Sequence, residues 1–461
     1  MLEAIAAGPD RSTVTRATAS VQNILQAYQT IREFLATNFR EAPAAVKRFM
    51  AAATSRVKLI RIETPNLAHA LKVFETINER GVGLNAMDLL KNLLFMNTSA
   101  ADYQKLKDRW KTLTDTLDSC QEKPLRFLRY YIMSHYEIEW HRGLREDEIY
   151  EWLVGHKREC QIDTDPLGFV DQLVTLASAW ANFLQGRDVQ GSPNRYLQNI
   201  AALSGAARQH FILLLAGQHL PPGQFTELCR WIENLFFCYV ITRESTKTFE
   251  RNFARWSGDL RAVPNEAGLK EFLGKYFAPD MASRRADFQF AFQELTESRI
   301  QRYRLRYVLA KLTQFIEEAA WGNPVDAQLA AYLHGSVDIE HILPQSPTPE
   351  AYAAFDKPGE FDAHKEKLGN LTLLEKTINT SVSNSPYELK KAGYRQSSFL
   401  LTKSLVEKPQ VGLNTQLNRA VKDLVPFEIW DSHAIETRQK LLAALAEQVW
   451  LSDITSQVEA A

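Results

Sequence analysis

From Ala101 to about Phe315, apolar residues recur at helical spacing in segment after segment, and no stretch settles into the alternation of a strand. Leu, Phe, Tyr and Trp fill those positions. Breaks fall at Gly186–Asn194, at Pro221-Pro222-Gly223 and around Pro264–Ala267. A chain patterned this way through its middle must bury its apolar stripes by packing helix on helix. No period stands out among the segments, so a repeat solenoid is not expected. At 461 residues the chain is too long for one ordinary core, and two or three domains are expected.

The flanks read differently. Thr13 to Phe39 has helical spacing, with Val21, Ile24, Leu25, Tyr28, Ile31, Phe34 and Leu35 on one stripe. Val57–Glu63 roughly alternates apolar and charged residues and predicts a strand. A helix is expected from about Leu67 to Asn78, closed by the turn Glu79-Arg80-Gly81. A second is expected from a cap at Asn85 to about Met96. Beyond Trp321-Gly322-Asn323-Pro324, Val337–Ile342 and Leu371–Leu374 are short strand-like runs separated by a polar loop. Ser385-Pro386-Tyr387-Glu388 then offers Ser as N-cap, Pro at the first helical position and Glu to close a capping box. The expected fold is mainly α: a small N-terminal α/β part over residues 1–100, a helical domain over 101–320, and a strand–loop–strand–helix unit within 321–461.

Net charge is -1, so any surface for a polyanion must be local. The four cysteines, Cys120, Cys160, Cys229 and Cys238, form no Cys-x-x-Cys pair and suit buried thiols in a reducing compartment. No N-terminal signal pattern is present, and the apolar run Phe211–Gly217 is far shorter than the about 18–20 residues of a membrane span. A cytoplasmic protein with no membrane partner is expected.

The chemistry-bearing residues gather in Val337-Asp338-Ile339-Glu340-His341-Ile342-Leu343-Pro344-Gln345-Ser346, followed by Gly369-Asn370-Leu371 and then Asn379. Phosphodiester hydrolysis needs an activated water, charge neutralisation on the phosphate and help for the leaving oxygen. An imidazole that titrates near neutral pH can take the water's proton. A hard divalent cation held by carboxylate or amide oxygens can neutralise the phosphate. His341, Glu340 or Asp338, and Asn379 supply such groups if the loop between the two runs folds back.

Glu340-His341-Ile342-Leu343-Pro344, then Asn370-Leu371, then Asn379 nine positions after Asn370, resembles an HNH (His-Me finger) nuclease. The resemblance implies a ββα-metal finger, with His341 as general base and Asn370 pinning the loop that orients it. Asn379 would be a metal ligand where many relatives carry a histidine, and Glu340 or Asp338 a further one; the metal would be Mg²⁺ or Mn²⁺. Asn384 competes with Asn379 for that position, which the spacing from Asn370 favours. Asn384-Ser385-Pro386-Tyr387, Lys390-Lys391, Tyr394-Arg395, Ser397-Ser398 and the terminal Trp430, Ile435, Arg438 and Trp450 extend the likeness. Together they resemble the C-terminal half of GmrSD-type modification-dependent restriction enzymes, whose motif is His-x-x-Pro. Upstream, Val73 to Gly81 and Leu84 to Asn92 resemble part of the N-terminal half of the same family. That half normally opens with Asp-Gly-Gln-Gln-Arg on a ParB-like, nucleotide-handling fold, and no such motif occurs here. The resemblance implies a DNA endonuclease of a restriction or anti-phage setting. Its front end would be truncated or supplied by a separate subunit, and only the family implies nucleotide contacts at Asn78 and Arg80.

Each of these residues also has a plainer reading. A lone histidine beside a strand is usually structural, Asn370 could be a turn residue, and Asn78-Glu79-Arg80-Gly81 could be an ordinary helix end. Arg243, Lys247, Arg251 and Arg255 make one basic helical stripe. Arg299, Arg302, Arg304, Arg306 and Lys311, interleaved with Tyr303 and Tyr307, make a second. Arg299, Arg302, Arg304 and Arg306, with Lys390 and Lys391, are the expected DNA contacts, although charge runs are mostly solvated surface. Three functions stand open on sequence: a metal-dependent endonuclease, a non-catalytic DNA- or partner-binding relative, and a nucleotide-binding regulator.

Overall fold

The computed structural model describes residues 19–39, 42–58, 63, 86–139, 143–322, 329–410 and 415–452. Asn78, Arg80, the helix expected at Leu67–Asn78 and most of the strand expected at Val57–Glu63 lie outside those residues. Val57 and Lys58, at its start, carry no strand.

The chain divides into two compact units, Met1–Ala70 and Leu71–Ala461. In the first, α1 (Ala19–Phe39) and α2 (Pro43–Arg56) pack together. Pro43 opens α2 at a position where a missing N–H costs nothing. Phe34, Phe39 and Phe49 meet with ring centroids 5.1 to 6.2 Å apart.

Among its described residues, the second unit is built of helices with one pair of strands. In order, the longer helices are α3 (Ala86–Asn97), α4 (Tyr103–Ser119), α5 (Pro124–His135), α6 (Ile149–Gly155), α7 (Pro166–Leu184) and α8 (Arg195–Ser204). Then come α9 (Pro222–Ile241), α10 (Thr246–Arg261), α11 (Glu266–Ser283), α12 (Arg285–Gln293) and α13 (Arg302–Trp321). Strands β1 (Val337–His341) and β2 (Leu371–Glu375) follow, then α14 (Lys376–Val382), α15 (Tyr387–Gln396) and α16 (Ser432–Trp450). Side-chain caps fix several helix starts. Asp165, Asn194, Ser245, Asn265 and Asp431 each accept a hydrogen bond from a backbone N–H of the first turn. The capping box expected at Ser385 does not form: Pro386 occupies the N-cap position of α15, without a side-chain cap.

The apolar run Phe211–Ala216 is a short helix whose six residues are all buried at the centre of the helical core. Among the described residues no helix is long and apolar enough to cross a membrane. All four cysteines are free, and three of them are buried. Trp450, at the end of α16, stacks on Phe237 of α9 at 4.1 Å and so carries the C-terminal helix into that core. Buried Glu233 of α9 accepts from Tyr307 Oη (2.6 Å) and Asn199 Nδ2 (3.0 Å), and pairs with Lys311 Nζ at 3.0 Å. This is a buried charge with its partners supplied, which ties α8, α9 and α13 together.

Two histidines are held uncharged inside the body. His210 is wholly buried against Phe211 and Phe236, and burial, with Arg208 nearby, pushes its pKa down to about 3. Burial, with Arg261 adding to it, brings His135 down to about 4. Once unfolded, each titrates near 6.5, so below that pH the unfolded chain binds protons that the folded one refuses. Stability is therefore full above pH ~6.5 and declines as pH falls toward ~4. A thermal melting series over this window should show the decline, and His210→Leu should flatten it; a wild-type Tm independent of pH from 7 to 4.5 would contradict the assignment.

Candidate active site

β1 and β2 pair antiparallel in the register Val337↔Glu375 through His341↔Leu371. Val337 and Ile339 are buried against the helical core. The start of β1 is fixed by Arg306 of α13, whose guanidinium donates to the carbonyls of Leu333, His334 and Val337 at 2.8 to 3.2 Å. His341 is thus the last residue of a strand with a fixed register. Beyond it the chain leaves through Ile342-Leu343-Pro344 and returns at Asn370, the residue before β2.

Asn370 joins the two ends of that excursion. It is fully buried, and all four hydrogen bonds of its amide are satisfied. Oδ1 accepts from Leu343 N (2.6 Å) and from Trp430 Nε1 (2.9 Å); Nδ2 donates to the carbonyls of Leu343 (3.1 Å) and Lys365 (2.9 Å). Its own carbonyl accepts from Ile342 N at 3.0 Å. The residues immediately after His341 are therefore bound through backbone and side chain to one asparagine.

Helix α16 holds the same loop from behind. Arg438 donates through one guanidinium nitrogen to the carbonyls of Gly369 and Leu371, both at 2.7 Å, and burial pushes its pKa down to about 10. Gln439 accepts from Gly369 N and donates to the carbonyls of Phe292 (2.7 Å) and Leu295 (3.1 Å). Gly369 lies so close to α16 that a Cβ would drive into the carbonyl oxygen of Ile435, which is backbone and cannot swing aside.

The imidazole of His341 meets a carboxylate from outside the motif. Nε2 lies 2.8 Å from Glu297 Oε2, with the two side chains 11% and 23% exposed. The ring is covered but not sealed.

Consecutive strand residues leave opposite faces, so Glu340 and Asp338 share the face opposite His341. Glu340 is buried, and its Oε1 accepts from both Lys390 Nζ and Tyr394 Oη, each at 2.7 Å. Lys390 Nζ also donates to the His341 carbonyl at 2.6 Å. Burial lowers the Lys390 ammonium, with Glu340 opposing that shift, and burial together with the Glu340 charge holds Tyr394 far above the ordinary phenol range. Among the described residues no donor reaches Glu340 Oε2. Asp338 is half-buried, and its carboxylate makes no hydrogen bond there either.

Asn379 lies on α14, which leaves β2 directly and packs against both strands. Its side chain is half-buried and makes no hydrogen bond among the described residues. Asn384, its competitor, is exposed and lies past the end of α14. Among the described residues no three His, Cys, Asp or Glu side chains gather as a metal cluster. The donors on offer are few, hard and oxygen-based: Glu340 Oε2, the Asp338 carboxylate and the Asn379 amide. They fit Mg²⁺ or Mn²⁺, since Mg²⁺ keeps several waters and is bound through one or two carboxylates plus substrate phosphates. They do not fit a closed thiolate or imidazole cage.

The basic residues separate into two kinds. Arg299 and Arg304 line a cavity of about 630 Å³, together with Arg243 from the other basic stripe, whose guanidinium reaches the Arg299 carbonyl at 3.4 Å. Arg302 is exposed. Arg306, Lys390 and Lys391 are used inside the protein. Lys391 is buried, donates to the Glu428 carbonyl and pairs with Glu388, both at 2.7 Å. Glu297 and Gln439 are absent from the sequence reading because no local pattern marks them. Trp430 and Arg438, which entered the sequence reading only as part of the family likeness, touch the Asn370 loop.

Two family models match this chain: GmrSD restriction endonucleases, C-terminal domain, over residues 282–445, and GmrSD restriction endonuclease, N-terminal domain, over residues 9–95. The first span takes in Glu297, both strands, Asn379 and the Arg438-Gln439 clamp. No curated protein matches the chain.

Proposed function

Because the chain belongs to the GmrSD restriction endonuclease family, we propose that it is a metal-dependent DNA endonuclease of restriction or phage-defence type whose general base is His341. The observation that carries this reading is the binding of the His341 loop to Asn370, a fully buried amide with every hydrogen bond satisfied. A base must be held where its proton is to be taken, and a pinned strand end does that.

In this reading His341 takes a proton from the attacking water, and Asn370 fixes the backbone that aims it. Glu340, steadied through Oε1 by Lys390 and Tyr394, would present Oε2 to the cation, with the Asn379 amide as second ligand and Asp338 on the same face in reserve. Such an outer layer of donors fixes a ligand's orientation. When bound, a divalent ion neutralises the phosphate and steadies the leaving oxygen. Arg299, Arg302 and Arg304 remain the basic residues available for DNA phosphates, whereas Lys390 and Lys391 act within the fold.

Supercoiled plasmid incubated with the protein in Mg²⁺, in Mn²⁺ and in EDTA tests the reading. Conversion to nicked or linear DNA with either metal and none in EDTA is expected. Equal conversion in EDTA contradicts metal-dependent cleavage, and binding without conversion in any condition favours the non-catalytic relative.

A further inference from the structure

We infer that Glu297 is the positioning residue of His341, selecting the imidazole tautomer that acts as base; the inference rests on the nuclease reading above. Glu297 sits in the short turn Glu297–Arg299 ahead of α13. That turn is stitched to the segment leading into Asn370. Thr296 forms an antiparallel bridge with Lys367, Glu297 N donates to the Glu366 carbonyl (2.8 Å), and Ser298 Oγ donates to Glu366 Oε2 (2.6 Å). Leu368 N donates to the Leu295 carbonyl at 3.0 Å, and Gln439 holds Leu295 and Gly369 together. The carboxylate and the imidazole are thus fixed to one scaffold, each through its own backbone, so their 2.8 Å contact is built rather than incidental.

An ionised carboxylate only accepts, so the imidazole nitrogen facing it must carry the hydrogen. Nε2–H directed at Glu297 leaves the Nδ1 lone pair as the basic site. In the chemical step the O–H bond of water breaks and its proton passes to Nδ1. The electron pair left on oxygen forms the new P–O bond as the P–O bond to the departing sugar oxygen breaks. That oxygen leaves with its pair and is protonated from solvent. The imidazolium so formed faces a negative charge, and Glu297 takes up no proton. A base aligned by a third group is the general form of such an arrangement.

Three variants test this in the full chain: Glu297→Gln, which keeps an acceptor without charge, Glu297→Leu, which keeps neither, and His341→Ala. The ¹⁵N spectrum of histidine-labelled protein, without metal or DNA, should show His341 as the Nε2–H tautomer in the wild type and as a mixture in Glu297→Leu. With Mn²⁺, kcat should fall about 100-fold in Glu297→Leu and less in Glu297→Gln, with KM unchanged. Mn²⁺ affinity should be retained in both. The near-isosteric Gln variant and the spectrum carry the test if the Leu variant does not fold. Wild-type kcat in Glu297→Leu, an unchanged tautomer, or loss of Mn²⁺ affinity in step with activity overturns the inference. If His341→Ala is as active as the wild type, the nuclease reading itself falls, which is a separate result.

Discussion

Replacing His341 by alanine is expected to lower the rate of plasmid nicking by about 10²–10⁴-fold while leaving the fold intact. The magnitude is that of a general base whose removal leaves water to be deprotonated by solvent. The structural cost is small because, among the described residues, the imidazole side chain makes one hydrogen bond, to a Glu297 carboxylate that is 23% exposed and can be hydrated when released. A loss of stability of about 1–2 kcal/mol is therefore expected in a denaturant melt, that of one hydrogen bond and a mostly covered ring. Rate and stability must separate in this variant. A large loss of stability with a proportional loss of activity would make His341 a structural residue.

Asn370→Ala is expected to fail on both counts. Its side-chain oxygen is the acceptor for Leu343 N and Trp430 Nε1, and its nitrogen serves the carbonyls of Leu343 and Lys365. Three of these bonds are buried and the one to the Lys365 carbonyl is partly so, and truncation therefore leaves two donors and one acceptor buried without partners. Such groups cost about 1–3 kcal/mol each, and partial relaxation brings the whole to about 3–5 kcal/mol. With the loop unpinned, the rate should fall at least tenfold even under conditions where the variant is fully folded. Asn370→Asp is the informative companion. It keeps an acceptor for Leu343 N and Trp430 Nε1 but faces two carbonyls with a charge, and it should be no more stable than the alanine variant. An Asn370→Ala protein with wild-type stability and rate would remove the basis for the proposed geometry.

The helical body was legible because its information is periodic and local: a stripe that repeats every third or fourth residue says where the core lies. The two short strands after Gly322 were legible as local apolar runs, while their antiparallel pairing came with the fold. Other features were not. Lys390 reads as one of two adjacent surface lysines, yet α15 places it on the face anchored by Tyr387 and Tyr394, at helical spacing on either side. That spacing was available, but charge suggested solvent and hid it. Arg306 likewise lies in a basic run, while its guanidinium is occupied by three carbonyls at the entrance to β1. Ser385 had the chemistry of a cap, but the helix began one turn position later, with Pro386 as its cap residue. Glu297 is 44 residues upstream of His341 and Trp430 is 60 downstream of Asn370. Contacts at such separations follow from how whole elements dock and leave no trace in a local window. The motif identified the residues of the candidate site, while the elements that hold them came only with the fold.

The most direct test is a Mn²⁺ titration of single-turnover nicking with the wild type, His341→Ala and Asn379→Ala side by side. A ligand variant weakens the hold on the ion, so Asn379→Ala should require more Mn²⁺ and recover much of its rate when the ion is in excess. A base variant loses the proton acceptor, so His341→Ala should stay slow at every Mn²⁺ concentration. Wild-type nicking by His341→Ala at any Mn²⁺ concentration would contradict the account.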